Sequence, residues 1–426
     1  MNYIIEGGTP LKGEITPTPN KNSVVAIIPA IILADEPVIL TNVPKSSSVR
    51  TLLRIFKSLG GKVSYLKGSK IKLDPRPLNG HVIDKELAKK ERSANMFLGP
   101  LLARFGKAEL GEVGGCKLGQ RPIDTLMQGL LKMGAEMDPE NIFKLSAKEI
   151  VGNPDIWQLE ASVTGTENLI MTAVKAKGTT VIYNAACEPH VQDLCNFLVS
   201  LGGRIYGIGT NKLQIQGVDR LTGGQWEIIP DHIDIGGLIV ASAITRGEVT
   251  IKNAIPHHMQ HVLQFFEKLN LHCDVVGQDI KVPGDQDLYC KSNMKGDIDK
   301  IVAQPWPTGF PVDLLPQALV LAASLPGNMI IMNPMYERGL TFVDDLVMMK
   351  GNVILADPGR AITYGPSDWK GATLSAPAII QCAHALALVG FAARGTTKIL
   401  NADIISRRFP EFTSAMTSLG GRIYEE

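Results

Sequence analysis

The phrase SLGG, a double glycine behind a short apolar helical run, stands at Ser58–Gly61, Ser200–Gly203 and Ser418–Gly421. A chain that repeats one phrase folds as copies of one unit stacked or packed together, so this feature constrains the architecture more than any other. The longer segment FKSLGGKVSYLKGSKIKL, from Phe56 to Leu73, is echoed by LVSLGGRIYGIGTNKLQIQG, from Leu198 to Gly217, and by the closing MTSLGGRIYEE. LLKMGAEMDPENIFKLSA is a looser copy, as are FFEKLNLHCDVVGQDIKV and LVMMKGNVILADPGRAITY. The anchors sit near residues 59, 133, 201, 269, 349 and 419. They imply six units of roughly 70 residues each.

Each unit reads alike. An apolar helical run such as TENLIMTAVKA or IDIGGLIVASAI precedes a glycine and a β-rich segment such as GTTVIYNAA or GEVTIKNAI. A second helix then ends at the double glycine, where glycine suits a left-handed C-cap. Alternating segments such as KLQIQG read as strands. Two helices and several strands per unit predict an α/β (α+β) fold, with units too long for an ordinary solenoid. At 426 residues the chain is too long for one ordinary core. Two domains of three units each follow.

Composition narrows the partners. The 43 basic and 42 acidic residues leave a net charge of +1. No global field favours nucleic acid or an anionic membrane, and any anion site must be local. The longest apolar run, Val24 to Ala34, contains Pro29 and is far short of a membrane span. The opening MNYIIEGG lacks a basic n-region and a long apolar stretch. The six cysteines form no CxxC pair, which argues against a zinc site or a disulfide framework. A cytoplasmic protein without metal or cofactor is the expectation.

Function is expected where one unit departs from the others. VGGCKLGQRPID, TPNKNSVV, PTGFPVDLLP and SRRFPEF are such departures. A thiol at Cys116, between glycine pairs and beside Lys117 and Arg121, has the surroundings of an activated thiolate on a mobile loop. Cys187 and Cys382 lie in apolar segments and suit the role of small packed residues.

Cys116, Gly119, Arg121, Pro122 and Asp124 stand in a pattern that resembles the UDP-N-acetylglucosamine enolpyruvyl transferases, or 1-carboxyvinyltransferases. The resemblance runs the length of the chain. It takes in GEITPTPNKNSVVAIIPAIILADEPVILTNVP, SANMFLGPLLARFG, SVTGTENLIM and the six-unit repeat. It implies two similar domains, each an inside-out α/β barrel of three units, with the active site in the cleft between them. The first domain is expected at 21–229, and the second at 1–20 together with 230–426. The implied reaction moves enolpyruvyl from phosphoenolpyruvate to the 3-hydroxyl of UDP-N-acetylglucosamine and releases phosphate, the first committed step of peptidoglycan synthesis. It proceeds by addition and then elimination. Such chemistry needs cations for a carboxylate and a phosphate, a proton donor to C3 and a base for the hydroxyl.

The resemblance also assigns residues. Lys21 contacts phosphoenolpyruvate and Asn22 the sugar nucleotide; a lysine at a helix start opposes the macrodipole unless an anion binds there too. Arg92 lies near the phosphate, although KKER reads equally as one charged face. Arg104 reads as structural. Cys116 donates the proton to C3, a role the family gives to cysteine or aspartate, and is the residue alkylated by fosfomycin. Arg121 binds phosphoenolpyruvate, and Pro122 and Asp124 lie on the uridine side. Ser162 and Val163 are substrate-binding positions within SVTGTENLIM. Asp313 faces the attacking hydroxyl as general base, with an N-cap as its competitor. Arg338 and Arg407 close the site from the second domain, with Arg408 as the alternative to Arg407.

Several positions depart from the family pattern. An Asp-Leu-Arg segment is replaced by Ile379, Ile380 and Gln381, so a phosphate-handling arginine is missing. His384 lies close by, but a histidine on an alanine-rich helix is more often packed or half-exposed than a substitute cation. His232 stands for an arginine, Leu126 for a histidine, and YERG for ENRF. These changes keep two alternatives open: an enolpyruvyl transferase with another acceptor alcohol, or a non-catalytic paralogue that binds a nucleotide sugar. No nucleic acid or membrane partner is expected, and the chain is expected to be a monomer or weak oligomer.

Overall fold

A computed structural model describes residues 1–111, 123–336 and 338–426. The described residues form two compact units, one of Met1–Thr18 with Pro230–Glu426, the other of 19–111 and 123–229. The fold is α/β, and six sheets are present among the described residues, three in each unit.

The repeat is visible at single-residue level. All six anchors follow the end of a helical segment and precede a strand, as at Ser47–Ser58 and Lys62–Tyr65. The residue directly after each anchor has a positive φ: Gly60, Gly134, Gly202, Asn270, Lys350 and Gly420. Left-handed backbone reverses the chain from helix to strand, and a Cβ there is crowded by the backbone. Four units use glycine and one uses asparagine, the side chain that tolerates this region best. Lys350, at φ 66°, is the exception. The copies that look loosest in sequence are therefore those in which another residue fills the same turn.

Each sheet is an antiparallel meander joined by a parallel edge strand. Val38–Thr41 pairs antiparallel with Ile71–Asp74 and parallel with Gly224–Glu227. In the three-stranded sheet the parallel edge is reduced to a bridge between Val82 and Glu109. The sixth unit is completed by the start of the chain, because Tyr3–Glu6 lies between Thr396–Leu400 and Arg422–Glu425. Both chain ends are thereby hydrogen-bonded into one sheet.

Three helices form the middle of each unit. Lys21–Ala30, Leu98–Phe105 and Val163–Ala173 serve one; His232–Ile244, Leu315–Ala323 and Ile380–Ala392 serve the other. The last three are apolar nearly all round, as expected of helices enclosed by other elements rather than lying on a surface. Gly236 and Gly237 allow their close approach. A Cβ on Gly236 would stand 2.5 Å from Leu314, and one on Gly237 2.6 Å from the His384 ring.

Replacing Lys350 with glycine should relieve the one unfavourable turn of the six. Lys350→Gly is expected to gain about 1 kcal/mol in chemical denaturation. An equal or lower stability would show that the lysine conformation carries no cost.

Candidate active site

Lys21, Asn22, Ser162 and Val163 stand at the N-termini of two central helices of one unit, and Asp313 lies in the turn before a central helix of the other. Those ends present unpaired N–H groups and the positive end of the helix dipole. Lys21 is the first residue of Lys21–Ala30. Buried Asn20 caps that helix, its Oδ1 accepting from the N–H of Asn22 at 3.0 Å and of Ser23 at 3.1 Å. The first turn of that helix holds no acidic residue. Ser162 caps Val163–Ala173 through a bond from the Gly165 N–H to its Oγ at 3.2 Å. Val163 opens that helix. Asp124 is exposed at the start of Asp124–Lys132 and complements its dipole.

Arg92 opens a 3-10 helix, Arg92–Phe97; its side chain lies outside the described residues. Cys116, Arg121 and Pro122 also lie outside them. Four of the other cysteines, Cys187, Cys195, Cys290 and Cys382, are buried. Burial pushes the Cys187 thiol up to about 12 and the Cys382 thiol higher. Arg104 is structural, as its sequence suggests: its guanidinium donates to the carbonyls of Ile32, Ala34 and Pro75.

Asp313 lies in the 3-10 turn Val312–Leu314 that leads into Leu315–Ala323. Its side chain caps neither helix. Instead its Oδ2 accepts from Arg408 Nη1 at 3.0 Å, and the side chain remains 32% exposed. Arg408 is 4% exposed and also donates from Nε and Nη2 to the two oxygens of Asp231, at 3.1 and 3.0 Å. This bidentate pair is the strong geometry for a guanidinium and a carboxylate. Asp231 is fully buried and caps His232–Ile244 by accepting from the Ile233 N–H at 2.9 Å. Burial works against the Arg408 charge, but the two carboxylates outweigh it and hold the pKa above its ordinary value.

The adjacent arginines are thus divided. Arg407 ends the 3-10 helix Ala402–Arg407, is exposed, and makes no ion pair among the described residues. Arg408 is consumed by Asp231 and Asp313. Arg338 is exposed.

The departures from the family pattern resolve into packing. His232 is buried and meets Trp306 edge-to-face, with centroids 5.6 Å apart. Asp231 beside it draws its cation from Arg408, 177 positions away in sequence. Leu126 is buried in the core of its unit. His384 is 2% exposed, lies 4.2 Å from the Phe409 ring, and its Nδ1 is 3.1 Å from Gln317 Nε2. Burial, and then the Arg408 charge, lower its pKa to about 3. A neutral, enclosed imidazole cannot replace the missing arginine, and His384 is a packed residue, as its place on an alanine-rich helix indicates.

Sequence reasoning missed two further features. Glu167, inside SVTGTENLIM, is buried, and burial, then Glu188, raises its pKa well above the ordinary range. A carboxyl with that surrounding is a neutral core group. A cavity of about 310 Å³ is lined by Trp157, Gln158, Tyr183, Asn184, Asn211 and Lys212. The Trp157 and Tyr183 rings stack there at 4.6 Å and 8°. No family-assigned residue lines it.

This α/β chain of six like units, with Lys21 at the head of one central helix and Asp313 in the turn before another, is matched by the family model described as EPSP synthase (3-phosphoshikimate 1-carboxyvinyltransferase) over residues 5–416. The chain belongs to this family of enolpyruvyl transferases. Relatives named UDP-N-acetylglucosamine 1-carboxyvinyltransferase include those of Bradyrhizobium diazoefficiens and Treponema denticola, each 38% identical. They cover 99% of this chain and 97% and 98% of the relatives. Among solved structures, the enolpyruvyl transferase NikO from Streptomyces tendae superposes with a TM-score of 0.85 at 18% identity, covering 99% of this chain and 98% of that one. EPSP synthase from Acinetobacter baumannii gives 0.77 at 16% identity over the full length of both chains. At those identities the structures share the fold.

The two arginines should separate cleanly on mutation. Arg408→Met strands Asp231 as a buried, uncompensated charge and should cost about 3–5 kcal/mol in chemical denaturation. Arg407→Met, at an exposed position, should stay within about 0.5 kcal/mol of the parent. Equal losses would refute the division of roles.

Proposed function

We infer that the protein transfers enolpyruvyl from phosphoenolpyruvate to the 3-hydroxyl of UDP-N-acetylglucosamine, releasing phosphate in the first committed step of peptidoglycan synthesis. The observation that carries this reading is the end-to-end similarity to relatives of that name. It is supported by the retention of Lys21, Cys116, Arg121, Asp313 and Arg407 in the family pattern. The two compact units are taken as the two domains of the family.

On this reading the hydroxyl oxygen bonds to C2 of phosphoenolpyruvate while Cys116 delivers a proton to C3. Asp313 receives the hydroxyl proton. The tetrahedral intermediate then loses a proton from C3 and its C–O bond to phosphate, and the enol ether and inorganic phosphate leave. Lys21, Arg92, Arg121, Arg338 and Arg407 supply positive charge to the carboxylate and phosphate. Asn22, Pro122, Asp124, Ser162 and Val163 hold the nucleotide sugar. Asp313 suits its role for a structural reason: its Oδ2 is held by Arg408 while the carboxylate keeps access to solvent. A base fixed by a buried partner needs little reorganisation when substrate arrives. No step calls for a metal or a redox cofactor.

Phosphate release from phosphoenolpyruvate tests the reading. Release should require UDP-N-acetylglucosamine, and Asp313→Asn should lower kcat by about 10²–10⁴-fold. Cys116→Asp should remain active and lose the fosfomycin adduct that the parent forms. Release with a different acceptor alcohol alone would identify another transferase of the same family. Acceptor binding without turnover would leave a non-catalytic paralogue.

A further inference from the structure

The net charge of +1 conceals a local field. From Pro37 to Leu73 the chain contains no aspartate or glutamate, yet it carries eight lysines and arginines between residues 45 and 72. All eight are exposed, and none forms an ion pair among the described residues. The rest of the chain is left net acidic, so the excess is concentrated in this segment.

That surface is ordered. Arg50, Arg54 and Lys57 stand at i, i+4 and i+7 on Ser47–Ser58, whose other face buries Val49, Leu52, Leu53, Ile55 and Phe56. Like charges at this spacing repel and weaken the helix, and no carboxylate relieves them here. Lys57 reaches the strand hairpin, its Nζ 5.5 Å from the centre of the Tyr65 ring. Tyr65 and Leu66 begin the turn between Lys62–Tyr65 and Ile71–Asp74, and they are 65% and 41% exposed. A bond from the Leu66 N–H to the Lys70 carbonyl at 2.9 Å closes that turn around Lys67. The result is a cationic helix face continuing into a protruding tip that carries an aromatic ring, an aliphatic side chain and two lysines.

We propose that this surface docks the protein on a membrane rich in anionic lipid. Each cation near such a surface adds a similar increment of attraction, and an exposed aromatic and leucine suit the boundary between headgroups and acyl chains. The surface is an exposed helix face and a hairpin tip. A polynucleotide would instead favour a groove with aromatic platforms, and Leu66 offers no stacking surface. The docking is peripheral, as no helix of the described residues is long and apolar enough to cross a membrane.

Co-sedimentation of the full-length protein with vesicles tests the proposal. Binding is expected to vesicles of phosphatidylcholine mixed with phosphatidylglycerol and not to phosphatidylcholine alone. It should disappear in high salt, where screening shortens to about 3 Å. The Arg50→Gln, Arg54→Gln, Lys57→Gln triple variant should bind roughly a hundredfold more weakly, with unchanged melting and phosphate release. Tyr65→Ser with Leu66→Ser should also weaken binding while leaving its salt sensitivity intact. No binding to the acidic vesicles at low salt, or undiminished binding by the triple variant, would overturn the proposal. Tighter binding to duplex DNA than to those vesicles would overturn it in favour of a nucleic-acid partner.

Discussion

A guanidinium enclosed to 4% exposure is costly to desolvate, and the arrangement of the second unit depends on how Arg408 meets that cost. Two carboxylates share it. Asp231 takes a bidentate pair in the interior, and Asp313 takes one further bond where the interior opens to solvent. The three residues come from the head of His232–Ile244, from the turn before Leu315–Ala323, and from the end of Ala402–Arg407. Those segments belong to three different repeats of the chain. One buried cation therefore ties two helix entries to the end of a 3-10 helix within the unit, and with them the candidate base.

The two adjacent arginines at the end of Ala402–Arg407 are placed differently. Arg408 turns inward and organises carboxylates, while Arg407 stays outside with its charge uncommitted among the described residues. His384 lies against the same cluster, kept neutral by burial and by the neighbouring guanidinium. Gln317 joins it to the start of the last central helix through the Gln381 carbonyl, at 3.3 Å. The position where the family pattern has an arginine is thereby part of a neutral hydrogen-bonded shell.

The fold was legible because its signal is local and repeated. A left-handed turn after a helix demands glycine or a tolerant substitute, and SLGG announces it at three of six places; Asn270 and Lys350 hide the same geometry behind other side chains. The heads of the central helices were legible for the same reason, since TPNKNS and EASVTG carry cap residues in front of apolar runs. What the sequence hid were long-range charge pairings. Arg408 and Asp231 are 177 positions apart, and nothing in SRRFPEF distinguishes the arginine that is buried from the one that is not. His384 illustrates the converse: its neighbours in sequence are alanines, and only packing against Phe409 and Arg408 shows that it cannot carry charge. The cationic surface was present in composition but was cancelled by a balanced total.

If Asp313 is the base that Arg408 holds, the two residues act on turnover as a unit, and a double-mutant cycle in kcat measures that coupling most directly. Phosphate release would be compared for the parent, Arg408→Gln, Asp313→Asn and the double variant, each at a temperature where it remains folded. Strong non-additivity is predicted, with the double variant little slower than Asp313→Asn alone, because the arginine has no base left to hold. Independent, multiplicative losses would contradict the account and leave Arg408 as a stabilising pair without a part in positioning the base.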